Sequence, residues 1–161
     1  GALIHRLLQT LPELPAADRM PAAVRFLGRA AWSLSYADQA EIAGEVARIM
    51  DDPGFKDLFG PDSRAEVPLI GRLGGRVVSG RVDRLVVRED NVLVVDYKTD
   101  RLPPVAPPPA YLRQMAAYRG VLACLYPGRT VRCALLWTDG PRWMPLDPAA
   151  LDDALAAMAL G

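Results

Sequence analysis

The sequence predicts a mixed α/β fold, a β-sheet flanked by helices, and three observations carry that reading. Apolar residues recur at helical spacing through the first 60 positions. β-branched residues concentrate between positions 65 and 99. A helix, strand, helix order then closes the chain. Of the 161 residues 51% are apolar and 24% charged, enough for one packed core and too apolar for global disorder. Residues 1–161 are expected to form a single domain, helical over 1–60 with an α/β core over 64–161.

The elements follow from local signals. Residues 2–9 place Leu3, Leu7 and Leu8 on one side of a short helix, with His5 nearby. Residues 11–20 read as a proline-rich loop. Pro21 suits a first helical position, so a second helix is expected over 22–32, with Val24, Phe26, Leu27 and Ala31 along it. Ser35 or Asp38 caps a third helix to about Met50, with Ile42, Val46, Ile49 and Met50 at helical spacing, and Asp52-Pro53-Gly54 stops it. A strand is expected over 65–70. Residues 76–88 and 92–99 flank Glu89-Asp90-Asn91, a hairpin signal. Residues 102–109 hold five prolines and form an extended loop. A helix over 111–126 ends at Pro127-Gly128. Strands over 130–137 and 143–145 and a helix over 148–160 complete the chain.

Nineteen basic and nineteen acidic residues cancel, which excludes a uniformly basic nucleic-acid binder but not a local basic face. Residues 66–142 carry twelve basic and seven acidic groups, whereas residues 1–65 carry seven and nine. Cys124 and Cys133 are too few for a tetrahedral thiolate zinc site or a four-thiolate iron–sulfur cluster. With no secretory signal they read as thiols in a reducing compartment. No apolar run approaches the ~18 residues of a membrane span. The chain starts at Gly1, which reads as a domain excised or processed from a longer protein.

The hairpin concentrates the chemistry. Leu93, Val94 and Val95 are apolar at consecutive positions, as in a strand buried on both faces, and Asp96 and Lys98 follow on one face of it. A Glu89-Asp90 loop places Asp83 opposite Asp96; an Asp90-Asn91 loop places it opposite Lys98. Both put Asp83 on the face of Asp96 and Lys98, and a three-residue loop would turn it away. Two carboxylates side by side repel and lose hydration, which one lysine relieves only in part. Mg²⁺ or Mn²⁺, with hard oxygen ligands, relieves it; an ion-pair ladder with Arg81, Arg84 and Lys98 is the alternative. Lys98 stands out in a chain of seventeen arginines and two lysines, because an ammonium is compact enough to sit beside a metal-bound water.

Asp83 followed by Asp96-Tyr97-Lys98-Thr99 resembles the core of the PD-(D/E)XK nuclease superfamily, in the GxxDR…vvDYKT form of its RecB-like family. Residues 1–8, with His5 and Leu8, resemble that family's leading G-x-x-x-H-x-x-L segment. Glu66-Val67-Pro68 resembles its E-v-p strand, and Gln114 to Tyr118 its Q-x-x-x-Y helix. The pieces span residues 1–118 in the family's order, and they resemble most the C-terminal nuclease domain of AddA-type, UvrD/Rep-like helicase–nuclease subunits. Val82 stands where the name-giving proline would be, and Gln9 where a Glu often follows the His. The four-cysteine cluster of some relatives is absent.

The resemblance implies a restriction-endonuclease-like core and a metal-dependent deoxyribonuclease. It implies an exonuclease in double-strand break repair and recombination, joined to a helicase domain and an AddB-type partner subunit, in the bacterial cytoplasm. Asp83 and Asp96 would ligate Mg²⁺ (or Mn²⁺), together with His5 and the Tyr97 carbonyl. Glu66 would be a second-site ligand or base. Lys98 would orient the attacking water and stabilise phosphate charge. Gln114, Tyr118, Arg84 and Arg101 would contact or support DNA, guided by the basic middle segment. Neither an iron–sulfur cluster nor a membrane is implied. Two other readings compete: an inactive nuclease-fold scaffold that binds DNA or protein, and an interaction module whose acids form surface ion pairs.

Overall fold

The structure, a computed structural model, describes residues 1–159. Its elements run α1 (Ala2–Thr10), α2 (Ala16–Leu27), α3 (Tyr36–Asp51), β1 (Ser63–Leu73), β2 (Arg76–Val87), β3 (Asn91–Lys98), α4 (Pro109–Leu125), β4 (Thr130–Trp137), β5 (Arg142–Pro145) and α5 (Pro148–Ala159). Leu160, the expected end of the last helix, lies outside the described residues. No helix among the described residues is long and apolar enough to cross a membrane.

The sheet order is β1-β2-β3-β4-β5, antiparallel except for the parallel β3–β4 pair. A parallel pair needs a crossover, which α4 and the proline loop before it supply. β3 is central. Val92 and Val94 point into the core beneath α4 and α5, and Val95 and Tyr97 into the core beneath α1 to α3. The sheet flanked by helices is the expected class, and burial on both faces accounts for the apolar run Leu93-Val94-Val95.

Both candidate caps of α3 act together. Ser35 Oγ accepts from the Asp38 N–H at 3.1 Å, and Asp38 Oδ2 accepts from the Ser35 N–H at 3.2 Å. α2 starts at Ala16 rather than at Pro21 and encloses that proline. Arg19 holds the early turn by donating to the Leu14 carbonyl at 3.0 Å. The end of the expected helix, Ala30–Trp32, is a separate 3-10 turn.

β1 and β2 form a hairpin of their own, turned by Gly74 and Gly75 at φ +53° and +81°, the left-handed pair of a two-residue turn. One face of it lies against α4, so closely that a Cβ on Gly80 would collide with the Tyr118 hydroxyl. The β2–β3 hairpin turns at Glu89-Asp90, with Arg84 opposite Val95 and Val87 opposite Val92. That register brings Asp83 level with Asp96. Pairing stops at Arg84–Val95, and beyond it the β1–β2 hairpin leaves β3.

Alternation breaks at the same point. Val82 and Leu85 both join the core beneath α4, which an unbroken strand forbids for residues three apart. On β1, Ala65 pairs with Arg84 and Val67 with Val82, on opposite faces. Both strands therefore switch faces at Glu66 and Asp83, and Glu66 takes φ +52° to do so.

Candidate active site

The face switch places two carboxylates where the sheet splits, and α1 brings a third group. His5 Nδ1 lies 3.5 Å from Asp83 Oδ1, with the imidazole edge-on to Tyr97 at 5.6 Å between ring centres. Ligand atoms of His5, Glu66 and Asp83 lie within 4.8 Å of one another, the one such trio among the described residues. A cleft of about 430 Å³, lined by Gly1, Arg6, Gln9 and Glu66 among others, opens onto His5. Positive φ at a non-glycine strand residue is strained. Glu66→Gly is expected to melt at or above wild type, because relief of about 1 kcal/mol of left-handed strain offsets the cost of glycine in a strand. A clearly lower melting temperature would mean that the side chain, not the backbone, sustains the kink.

Asp96 follows Val92 and Val94 on the α4 face of β3 and is buried, with Oδ2 held by Lys98 Nζ at 2.6 Å. Burial, and after it the Asp83 charge, push the Asp96 carboxyl above its ordinary range, while Lys98 pulls it down. The hydrogen bond to Asp83 raises the His5 imidazole above its ordinary 6.5, against the lowering effect of burial. Asp83 Oδ2 accepts the Tyr97 N–H at 2.7 Å, where the strand pairing has ended. The expectation of one shared face is thus corrected. His5 reaches Asp83 from the α1 side, whereas Asp96 and Lys98 lie on the α4 side, and the face switch lets Asp83 serve both. Asp96 stands beside the trio, tied to Lys98, and Glu66 stands within it.

The expected DNA contacts divide. Arg84 is 1% exposed, so the expected phosphate contact there is corrected to an internal role. Its guanidinium donates to the Leu8 carbonyl, lies 3.4 Å from Tyr97 Oη and 3.5 Å from Ser63 Oγ, and sits over the Phe59 ring at 5.1 Å. The helical partner of that carbonyl would be Pro12, which has no N–H. Arg84 fills this vacant acceptor and ties α1 to the sheet about one turn along from His5. Arg101 is exposed and lies 3.9 Å from Glu41. Gln114 Nε2 donates to Tyr118 Oη at 3.3 Å; Tyr118 is buried against Gly80, and Gln114 is half-buried.

Tyr111 carries no motif signal, yet its ring lies 3.6 Å from Lys98 Nζ and its hydroxyl 3.3 Å from Asp100 Oδ2. Carboxylate oxygens suit a hard divalent cation, and the one imidazole beside them is a further donor to such an ion. Burial first, and the Asp83 charge after it, lift Asp96, and a divalent cation between the carboxylates would offset both.

A family model described as the PD-(D/E)XK nuclease superfamily matches residues 1–143. No curated protein matches the chain. Among solved structures, SSO0001 aligns over 98% of this chain and 73% of its own, at 18% identity and a TM-score of 0.39. VC1899 from Vibrio cholerae aligns over 99% of this chain and 56% of its own, at 13% identity and a TM-score of 0.37. Both likenesses are too distant to bear on the site. The family match is of another order, since it runs from α1 into β5 and takes in His5, Glu66, Asp83, Asp96 and Lys98 together: the chain belongs to the PD-(D/E)XK nuclease superfamily.

Proposed function

We propose that this chain is a metal-dependent deoxyribonuclease that hydrolyses phosphodiester bonds. The observation that carries the reading is the meeting of His5, Glu66 and Asp83 beside the Asp96–Lys98 pair, where the sheet splits. His5, Glu66 and Asp83 would hold Mg²⁺ or Mn²⁺, with Asp96 and the Tyr97 carbonyl completing the donor set. When bound, the cation supplies Lewis-acid stabilisation of phosphoryl charge and acidifies water. Lys98 sets a compact positive charge beside the carboxylates, where charge grows on a phosphate during hydrolysis. Arg101 and the basic 66–142 segment give sequence-independent backbone contacts, with Gln114 at the rim.

The motif order from His5 to Tyr118 supports placement in the RecB-like family, as the single nuclease domain of an AddA-type helicase–nuclease. In that setting it is an exonuclease of double-strand break repair and recombination, with a helicase domain on the same polypeptide and an AddB-type partner in the bacterial cytoplasm. Cleavage of end-labelled single- and double-stranded DNA by the purified chain tests the activity. Cleavage with Mg²⁺ or Mn²⁺ and none in chelator is expected. Undiminished cleavage in chelator would overturn the metal reading, and DNA binding without cleavage in either metal would favour an inactive scaffold.

A further inference from the structure

We propose that Tyr111 is a positioning residue for Lys98, holding the ammonium at the reacting centre through the face of its ring. The inference rests on the nuclease reading and adds to it a residue outside the motif set. Lys98 Nζ lies 2.6 Å from Asp96 Oδ2 and 3.6 Å from the Tyr111 ring centre. The lysine side chain is 13% exposed, a setting in which attraction between an ammonium and an aromatic face is little screened by water. Tyr111 is itself fixed. It lies in the first turn of α4, its N–H donates to the Pro108 carbonyl at 3.0 Å, and its hydroxyl meets Asp100.

The two neighbours differ in what they leave Lys98 free to do. Asp96 binds the ammonium through a hydrogen bond and belongs to the carboxylate set that a divalent cation would engage. An aromatic face attracts the charge and takes none of its three N–H donors through a lone pair. When Asp96 turns its charge to a cation, the ring keeps Lys98 in place with donors free for a phosphate oxygen. Without the ring, a four-carbon chain regains rotamers and the ammonium is at the reacting centre for only part of the time.

The test uses Tyr111→Phe, which keeps the ring, and Tyr111→Leu, which removes it. Only Lys56 and Lys98 are lysines, so the ε-methylene NMR signals of isotopically labelled lysine resolve to two. A ring shields protons over its face. The Lys98 signal is expected upfield in wild type and Tyr111→Phe and at its free position in Tyr111→Leu. In Mn²⁺, Tyr111→Leu is expected to lower kcat about tenfold with KM unchanged. Tyr111→Phe should stay within about twofold of wild type. Added to Lys98→Ala, Tyr111→Leu should cost nothing further, because its effect runs through the lysine. An active wild type with an equally active Tyr111→Leu overturns the inference alone. So does a Tyr111→Phe as slow as Tyr111→Leu, which would assign the effect to the hydroxyl, or full additivity with Lys98→Ala. A wild type that shows the shielded lysine and cleaves nothing in Mn²⁺ or Mg²⁺ overturns the nuclease reading, and the inference falls with it.

Discussion

Lys98→Ala is expected to slow DNA cleavage by about 10²–10³-fold, the range for loss of one preorganised charge-stabilising donor. The loss should fall on kcat, with DNA affinity and metal affinity close to wild type, because Lys98 faces Asp96 and Tyr111 and is not a ligand. Lys98→Arg is expected to fail as well. A guanidinium is a planar fork, wider than an ammonium, and the space between the Asp96 carboxylate and the Tyr111 ring is shaped for a compact charge. Single-turnover rates with enzyme in excess separate chemistry from product release. A fully active Lys98→Arg would reduce the lysine to a generic charge and remove the main reason for reading Asp96-x-Lys98 as catalytic.

The second large effect needs no DNA. In chelator, Asp96→Asn is expected to melt at or above wild type. The Asp96 carboxyl is raised because burial and the Asp83 charge outweigh Lys98, so its ionised form is disfavoured by folding. Asparagine mimics the protonated acid and removes that cost, against the usual trend for substitutions. With Mn²⁺ at a hundredfold excess over Kd, wild type should gain about 2.7 kcal/mol, and Asp83→Asn should lose most of the gain.

The pH dependence has a definite sign. A raised histidine contributes stability that is complete below its ordinary 6.5 and is lost as pH rises through the folded value. A raised carboxyl acts in the same direction from 3.8 upward. The metal-free protein should therefore lose stability from mildly acid to mildly alkaline pH. The gain from Mn²⁺ should grow over the same span, since metal and proton compete for His5. An ion-pair ladder predicts the reverse: an Asp96→Asn destabilised in chelator and a wild type indifferent to Mn²⁺.

The sheet and its central strand were legible because their signals are local. The apolar run Leu93-Val94-Val95 announces burial on both faces, and Glu89-Asp90-Asn91 confines the register to few choices. The β1–β2 hairpin was not among the expected elements, although Gly74-Gly75 between strand residues is the local signal that marks its turn. The α2 start was hidden because Pro21 favours a first turn in isolation, whereas Arg19 secures an earlier one.

The site was legible as a list of residues more than as a geometry. Strict alternation predicts one shared face, and the switch at Glu66 and Asp83 arises from two strands leaving β3 together. No periodicity along one strand encodes that. Nor does local sequence reveal that Arg84 is buried, although Pro12, four residues after Leu8, marks a helix carbonyl in need of an outside donor. Tyr111 meets Lys98 only through the crossover that brings α4 over β3.

The most direct measurement is the anomalous difference map of a crystal of this chain soaked in Mn²⁺. The account predicts one or two peaks within ligand distance of the Asp83 carboxylate, with His5 or Glu66 and Asp96 among the remaining ligands. A map without a peak there, with Asp96 still bound to Lys98 and His5 still turned to Asp83, would contradict it.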